Sequence, residues 1–501
     1  MTSPNILLFF TDQHRLSGVG AYGDTPCRTP NIDRLAQEGV LFENAYTVCP
    51  VCSPSRATVM TGQYPHYHGI NANVHGLGCN VSALVDSPSL LSRRLQTADY
   101  SLGYTGKWHL CLDIEQHYSE PNRKTLPRDV GFEGQNFPGH GGGGFKFPEY
   151  QAYLNENGWH HKVLPWDEPE QRVGDAGILD GPLESTVPYF LARNTISMID
   201  SFRSREKPFF IWHNFWGPHT PYFVPREFIE MYRDVEIPPW PNFEWESRNI
   251  PGPHLANIHP RSEELSWKDW AATLRYYYAF STLIDSQIGR VMDHLRETGV
   301  LESTVVLFTS DHGETLGSHG GMTDKGWHHW EETHRIPFVI RRPGDVPGRR
   351  MQELVSLADV YPTILDLAGV TPGSEPVHGR SLLPLTEGRA KSWRDMVVTE
   401  FHGVMNQGMT QRTLRWGKIK YGYNCCCEDE LYDLEKDPHE MDNRIHDPAY
   451  DGILLECRKR LAAWMEQTGD RVEQMYREKV SARHPELAGG REPWLNLSGR
   501  P

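Results

Sequence analysis

Long apolar runs are missing. No uninterrupted apolar stretch in the 501 residues comes near the ~20 that a membrane-spanning helix needs, so a spanning protein is not expected. Positive charge is also short: 50 Lys and Arg stand against 65 Asp and Glu, a formal charge of −15. Nucleic acid and anionic membranes are therefore not expected partners, because polyanion binding rests on Lys and Arg neutralising phosphates. The nine cysteines are odd in number and lack framework spacing, which fits a reducing compartment better than a disulfide scaffold. Between Met1 and the apolar run Ile6–Phe10 there is no basic segment, long apolar core or small-residue cleavage site, so a cytoplasmic location is expected. Internal repeats are absent. Cys425-Cys426-Cys427 are too close together to serve one tetrahedral metal site easily, and read as thiols in a loop or short strand.

What is present is a repeated strand-then-helix order. Ile6–Phe10 is a short continuous apolar run, the pattern of a buried parallel strand, and it delivers Thr11-Asp12-Gln13-His14 to its carboxyl end. Open α/β sheets place ligands at that end. Thr29 to Gly39 reads as a helix with Thr29 as cap, Pro30 at its first position and Gly39 as stop. A helix near Ser89–Gln96, a strand into Gly103-Tyr104-Thr105, a helix over Val187–Phe202, a strand over Pro208–Asn214 and a helix over Trp267–Glu297 follow. The strand Thr304–Thr309 then delivers Ser310-Asp311-His312-Gly313. This order predicts an α/β fold with a large, mainly parallel sheet covered by helices on both faces.

Two stretches break the rhythm. Residues 113–185, including the glycine-rich Gly139–Gly144, and Pro238–Pro260 are rich in Pro, Gly and aromatic residues. They are candidates for the walls of a substrate pocket or simple surface excursions. After Pro384 the texture changes to short strands at Met396–Thr399, Leu414–Tyr423 and Glu430–Leu434, then a charged helix near Ile453–Thr468. The expected division is a catalytic unit over 1–385 and a smaller α+β unit with an antiparallel sheet over 386–501.

The chemistry centres on Cys52-Ser53-Pro54-Ser55-Arg56-Ala57-Thr58-Val59-Met60-Thr61-Gly62. It reads as a turn entering a short helix, with Ser53 as cap, Pro54 at the first helical position and Gly62 as stop. Free N–H groups at such a start attract an anion, and Arg56 lies one turn along from Cys52 on the same face. On those grounds alone, Cys52 is either an ordinary buried thiol or a cysteine whose thiolate is favoured by a positive field.

The run resembles the C-x-P-S-R-x-x-x-(L/M)-T-G signature of the sulfatase family across all eleven residues. The resemblance implies that Cys52 is oxidised to formylglycine by a formylglycine-generating or sulfatase-maturing enzyme, and that the substrate is a small sulfated molecule. Gly106-Lys107-Trp108-His109 resembles the family's G-K-x-H run, implying a sulfate-binding Lys107 and a His109 that contacts the nucleophile. Gly217–Tyr222 resembles H-x-P-(F/Y), implying that His219 contacts the leaving group. His319–Lys325 resembles H-G-x-x-x-K, implying Lys325 as a second sulfate-binding lysine. Leu431–Asn443 resembles a run near the end of many sulfatases. His328, His329 and His334 match nothing and are left as loop or packing residues.

Asp12 and Asp311, at the ends of two expected strands, can hold a divalent metal together with Gln13 and His312. The resemblance implies calcium, but Gln13 and His312 depart from the commonest ligand set. Mixed nitrogen and oxygen donors suit manganese or zinc better. Asp-Gln after the first strand and Asp-His after the later one also resemble phosphonate monoester and phosphodiester hydrolases of the same alkaline phosphatase superfamily. The competing functions are thus a sulfate ester hydrolase, a phosphonate or phosphodiester hydrolase, and a catalytically silent anion-binding protein.

Overall fold

The computed structural model describes residues 3–23, 25–74, 79–112, 125–140, 142–165, 173–244, 254, 259, 262, 264–403 and 408–488. An eight-stranded sheet dominates. Its order is Arg349–Ser356, Val40–Tyr46, Phe338–Arg341, Thr304–Ser310, Asn5–Asp12, Phe209–Pro218, Ser101–Gly106 and Glu133–Gly134. Every pairing is parallel except the two made by Phe338–Arg341. This is the mainly parallel α/β sheet that the apolar strands imply.

The first strand shows why its apolar run is continuous. Ile6, Leu8 and Phe10 enter one apolar cluster, and Leu7 and Phe9 enter the other. Alternate side chains point to opposite faces, so a strand covered on both sides needs apolar residues at every position. Truncating one of these side chains to Ala would cost about 2–5 kcal/mol, through lost transfer energy and the cavity left behind.

On one face lie the helices Pro30–Glu38, Val187–Arg203 and Trp267–Glu297. The other carries Cys52–Thr61, Leu91–Gln96 and Val360–Ala368. Thr29 does not cap the Pro30–Glu38 helix with its side chain as the sequence suggests. Asp285, from the 31-residue helix, instead accepts the N–H groups of Asn31 (3.1 Å) and Ile32 (2.8 Å), tying two helices together, although burial still pushes its carboxyl up to about 7.

The 113–185 stretch is more regular than its composition suggests, although 113–124, 141 and 166–172 lie outside the described residues. Its helix Pro148–Glu156 has Pro148 in the first turn and buries Tyr150, Tyr153 and Leu154, a helical spacing hidden among the glycines and prolines. Lys162–Leu164 and Ala176–Asp180 pair with each other and, through the second, with Tyr222–Val224 in a small sheet. Most of the 238–260 stretch also lies outside the described residues.

Toward the C-terminus, Met396–Phe401, Gln411–Trp416, Ile419–Asn424 and Glu430–Asp433 form an antiparallel sheet. The single strand expected over Leu414–Tyr423 is two strands, turned at Gly417 with φ 54°. The helices Asp451–Thr468 and Glu473–Ser481 follow. Leu414, Tyr421, Leu461 and Met465 belong to the same apolar cluster as Leu8 and Phe10, so the small sheet shares one core with the large one. Among the described residues, no helix is long and apolar enough to cross a membrane.

Candidate active site

The site lies at the carboxyl edge of the large sheet. Asn5–Asp12 and Thr304–Ser310 are adjacent and parallel, with Thr11 opposite Ser310, so Asp12 and Asp311 leave the sheet side by side. The strand on the other flank, Phe209–Pro218, brings Asn214 and then His219. Ser101–Gly106, next along, brings Lys107 and His109. Gly106 has φ 101°, and a Cβ there would lie 1.6 Å from the Asn214 carbonyl oxygen, so only glycine lets the chain turn Lys107 inward.

The Cys52–Thr61 helix meets these strand ends. It starts earlier than the sequence suggests: Val51 is the cap position and Cys52 the first helical residue. Ser53 is no cap, because its hydroxyl donates to the His109 carbonyl at 2.7 Å and its N–H to Asn73 Oδ1 at 3.2 Å. Pro54 thus sits inside the first turn, where its missing N–H still leaves no broken helical bond. Gly62 ends the helix in the left-handed conformation, as expected.

Arg56 is fully buried and ties the carboxyl ends of four strands together. Its Nη2 donates to Asp12 and to Asp311, both at 3.0 Å, and its Nη1 to Asn214 and to the Lys107 carbonyl, both at 2.9 Å. Lys107 Nζ makes a further close ion pair with Asp12 and lies 3.5 Å from Cys52 Sγ. Cys52 Sγ is also 3.4 Å from His312 Nε2 and 3.8 Å from Asp12 Oδ1. His312 Nδ1 donates to the Gly313 carbonyl at 2.9 Å, which orients the ring so that Nε2 faces Cys52.

Charges decide the ionisation here. Burial pushes the Asp12 carboxyl up, but the neighbouring charges, Lys107 first and then Arg56 and His312, outweigh it and hold the group well below the usual range. For the Cys52 thiol, burial and Asp12 push up while Lys107, Lys325 and His312 prevail, so it lies below an ordinary cysteine. Burial, then Lys325, drives the His219 imidazole well down. Asp311 opposes the burial of His312 and raises it.

Asp12, Cys52, Asp311 and His312 each offer a ligand atom within 4.8 Å of the others. Two carboxylates plus a nitrogen oriented by a backbone carbonyl suit a divalent cation, and the donor set fits one. Gln13 stands beside this cluster. Its φ is 61°, its N–H donates to Asp311 Oδ1 at 3.0 Å, and its amide oxygen accepts from Lys325 Nζ at 2.7 Å. Its amide nitrogen donates to Asp324 at 2.8 Å and to Glu314. Lys325 in turn lies 3.2 Å from His219 Nε2.

All ten residues singled out from the sequence therefore lie in or beside one cluster at the carboxyl edge of the large sheet. His328 stacks on Trp330 at 4.6 Å, while His329 contacts Thr413 and Asn424; both are packed away in the interior. Sequence reasoning missed Asn214, Asn73, Glu314 and Asp324. Asn214 alone carried a signal, as a polar residue at the carboxyl end of an apolar strand.

The fold and the site define an enzyme-like α/β chain with a buried cradle of lysine, arginine and carboxylate at the carboxyl edge of a mixed sheet. Residues 4–370 match the model of the sulfatase family, and 317–467 match that of the N-sulphoglucosamine sulphohydrolase C-terminal region. The chain belongs to the sulfatase family, a family of sulfuric ester hydrolases. It is 29% identical over 487 residues to an arylsulfatase of Clostridium perfringens, covering 92% of this chain and 94% of that one. It is also 29% identical over 528 residues to the multifunctional alkaline phosphatase superfamily protein PehA of Trinickia caryophylli, covering 95% and 98%. Among solved structures, the phosphonate monoester hydrolase of Agrobacterium radiobacter superposes with a TM-score of 0.78 at 26% identity, covering 93% of this chain and 96% of that one. The 2-O GAG sulfatase BT1596 gives 0.70 at 25%, covering 93% of each.

Proposed function

We propose that the protein hydrolyses a small sulfate ester, with formylglycine made from Cys52 and one divalent metal. The observation that carries this reading is the convergence of Cys52 Sγ on Lys107, His312 and Asp12 within 3.8 Å in a buried pocket. Family membership and the arylsulfatase likeness support it.

Asp12, Asp311 and His312 would hold the metal, with Gln13 beside them. A cation there would draw charge from a sulfate oxygen and favour ionisation of an attacking hydroxyl. Calcium follows from the family resemblance, and the His312 nitrogen leaves manganese and zinc as alternatives. Oxidised with loss of its sulfur by a maturing enzyme, Cys52 would supply a hydrated aldehyde, an oxygen nucleophile with a second hydroxyl through which sulfate can be expelled.

The other residues divide the remaining tasks. Lys107 and Lys325 face the sulfate and stabilise the charge that grows on its oxygens. Arg56, which donates to both, keeps Asp12 and Asp311 aligned. His219 or Lys325 delivers a proton to the departing alcohol oxygen, and His109 removes the proton of the second hydroxyl.

The catalytic unit in this reading is 1–385, with 386–501 as a smaller C-terminal unit, in a cytoplasmic protein that meets its maturing enzyme there. The acidic balance disfavours nucleic acid and anionic membranes as partners. One specific observation favours a second reading. Asp12-Gln13 and Asp311-His312 match the pattern noted for phosphonate monoester and phosphodiester hydrolases, and such a hydrolase superposes at a TM-score of 0.78. Measuring kcat/KM on 4-nitrophenyl sulfate and on a 4-nitrophenyl phosphonate with fully modified protein separates the two. A higher value on the sulfate is expected, and preference for the phosphonate by tenfold or more would overturn the first reading.

A further inference from the structure

We infer that His140, in the glycine-rich loop, is a specificity-determining residue that packs its ring against the alcohol half of the ester. The inference rests on the reading of Lys107 and Lys325 as the anion cradle and His219 as the leaving-group residue.

Three observations place it there. First, the His140 ring lies 5.1 Å from His109 and 5.2 Å from His219, edge to face with both. It therefore spans the nucleophile side and the leaving-group side of the pocket. Second, its backbone is pinned to the segments that carry those two histidines. The His109 N–H donates to the Pro138 carbonyl at 3.0 Å, and the Trp216 indole N–H donates to the His140 carbonyl at 2.5 Å. Gly144, at φ 89°, presses so closely on Trp216 and Val187 that a Cβ would lie 2.9 Å from each. The loop is thus fastened to the end of the Phe209–Pro218 strand.

Third, burial gives the direction of approach. Cys52, Lys107 and His109 are at most 1% exposed and Lys325 is 4%, whereas His140 and His219 are only half-buried. The sulfate half goes to the buried cations, so the alcohol half is left on the side where His140 and His219 reach solvent. Lys107 is the largest influence on the His140 imidazole and, with burial, holds it down to about 2, which agrees with a ring set against the cradle. A neutral imidazole beside His219 suits a ring-bearing alcohol, whose flat face it can cover.

The test varies the size of the alcohol while the transferred group stays constant. 4-Nitrophenyl sulfate and the larger 4-methylumbelliferyl sulfate are compared in wild type, His140→Ala and His140→Phe. The loop anchors are backbone groups, so both variants keep them. The ratio of kcat/KM for the larger ester over the smaller should rise on the order of tenfold in His140→Ala and fall in His140→Phe, the scale of a changed pocket wall. Inhibition by inorganic sulfate, which needs only the cradle, should stay within about twofold. An unchanged ratio in both variants would overturn the inference, as would weaker sulfate inhibition in step with the esters. If wild type turns over no sulfate ester but does cleave phosphonates, the sulfatase reading fails by itself. The same ratio measured on the matching pair of phosphonate esters then decides the role of His140.

Discussion

Lys325 Nζ lies 3.2 Å from His219 Nε2. Two groups that both carry a positive charge when protonated do not share that distance unless one of them is neutral, and the His219 imidazole is the one driven down. The proton available to a leaving alcohol therefore resides on Lys325, with His219 placed to relay or orient it. Leaving-group dependence reads this arrangement. His219→Ala should slow single-turnover hydrolysis most for esters of poorly acidic alcohols and least for activated aryl sulfates, because weakly acidic leaving groups need most neutralisation in the transition state. Lys107→Ala, which removes a charge facing the transferring group, should slow both kinds by similar factors, on the order of 10²-fold or more. Equal steepness with and without His219 would move the acid role entirely to Lys325.

Cys52 supplies the most direct chemical check. Peptide mass spectrometry of active protein should find the Cys52 peptide about 18 Da lighter than the unmodified sequence, the change from thiol to aldehyde. Cys52→Ala should fold normally and turn over essentially nothing. Full activity with an intact thiol would remove the proposed nucleophile.

Much of this site was legible because its residues sit where strands end. Asp12 and Asp311 each follow a short apolar run and Lys107 follows an expected strand, and a parallel sheet brings all such ends to one edge. The eleven residues from Cys52 to Gly62 made the strongest signal, yet the detail of the cap escaped: nothing local reveals that Ser53 would spend its hydroxyl on His109, 56 residues away. Glu314 and Asp324 escaped for a similar reason. They act through Gln13, about 300 residues distant in the chain, and no periodicity records a contact of that range. The 113–185 stretch misled through composition, since Pro148 reads as a breaker but serves the first turn of a helix. Burial of the C-terminal sheet in the same core as the first strand was equally unreadable, because apolar patterning tells which face is covered and not by what.

Metal content should follow the two carboxylates. Asp12→Asn and Asp311→Asn each remove a charge from the donor set, and both should lower bound divalent metal, measured by elemental analysis, together with activity. Gln13→Asp should retain metal and shift the preference toward calcium, since it adds a hard oxygen donor beside the cluster. Full occupancy in both Asp variants would place the metal elsewhere.

The last prediction concerns how the small sheet is held to the catalytic face. His66 Nδ1 lies 2.5 Å from Glu400 Oε1, and its Nε2 lies 3.1 Å from the Thr468 carbonyl. Both ring nitrogens thus face acceptors, an arrangement that only the imidazolium satisfies. Burial opposes that charge, but Glu400 outweighs it and raises His66 above its ordinary value, while the Glu400 carboxyl is itself held well below the usual range. The sign follows. A histidine raised on folding contributes fully below its unfolded value of about 6.5, and that contribution is lost as pH climbs through the folded value. Glu400 stays ionised throughout this window, so it adds no slope there. His66→Gln should therefore lower the unfolding free energy, measured by urea titration, most near pH 6, by an amount on the order of 2 kcal/mol for hydrogen bonds to a charged group. The gap from wild type should narrow as the pH is raised toward 9. A gap that is constant or widens over that range would show that His66 docks the sheet as a neutral ring, with Glu400 held by His402 and Arg412 instead.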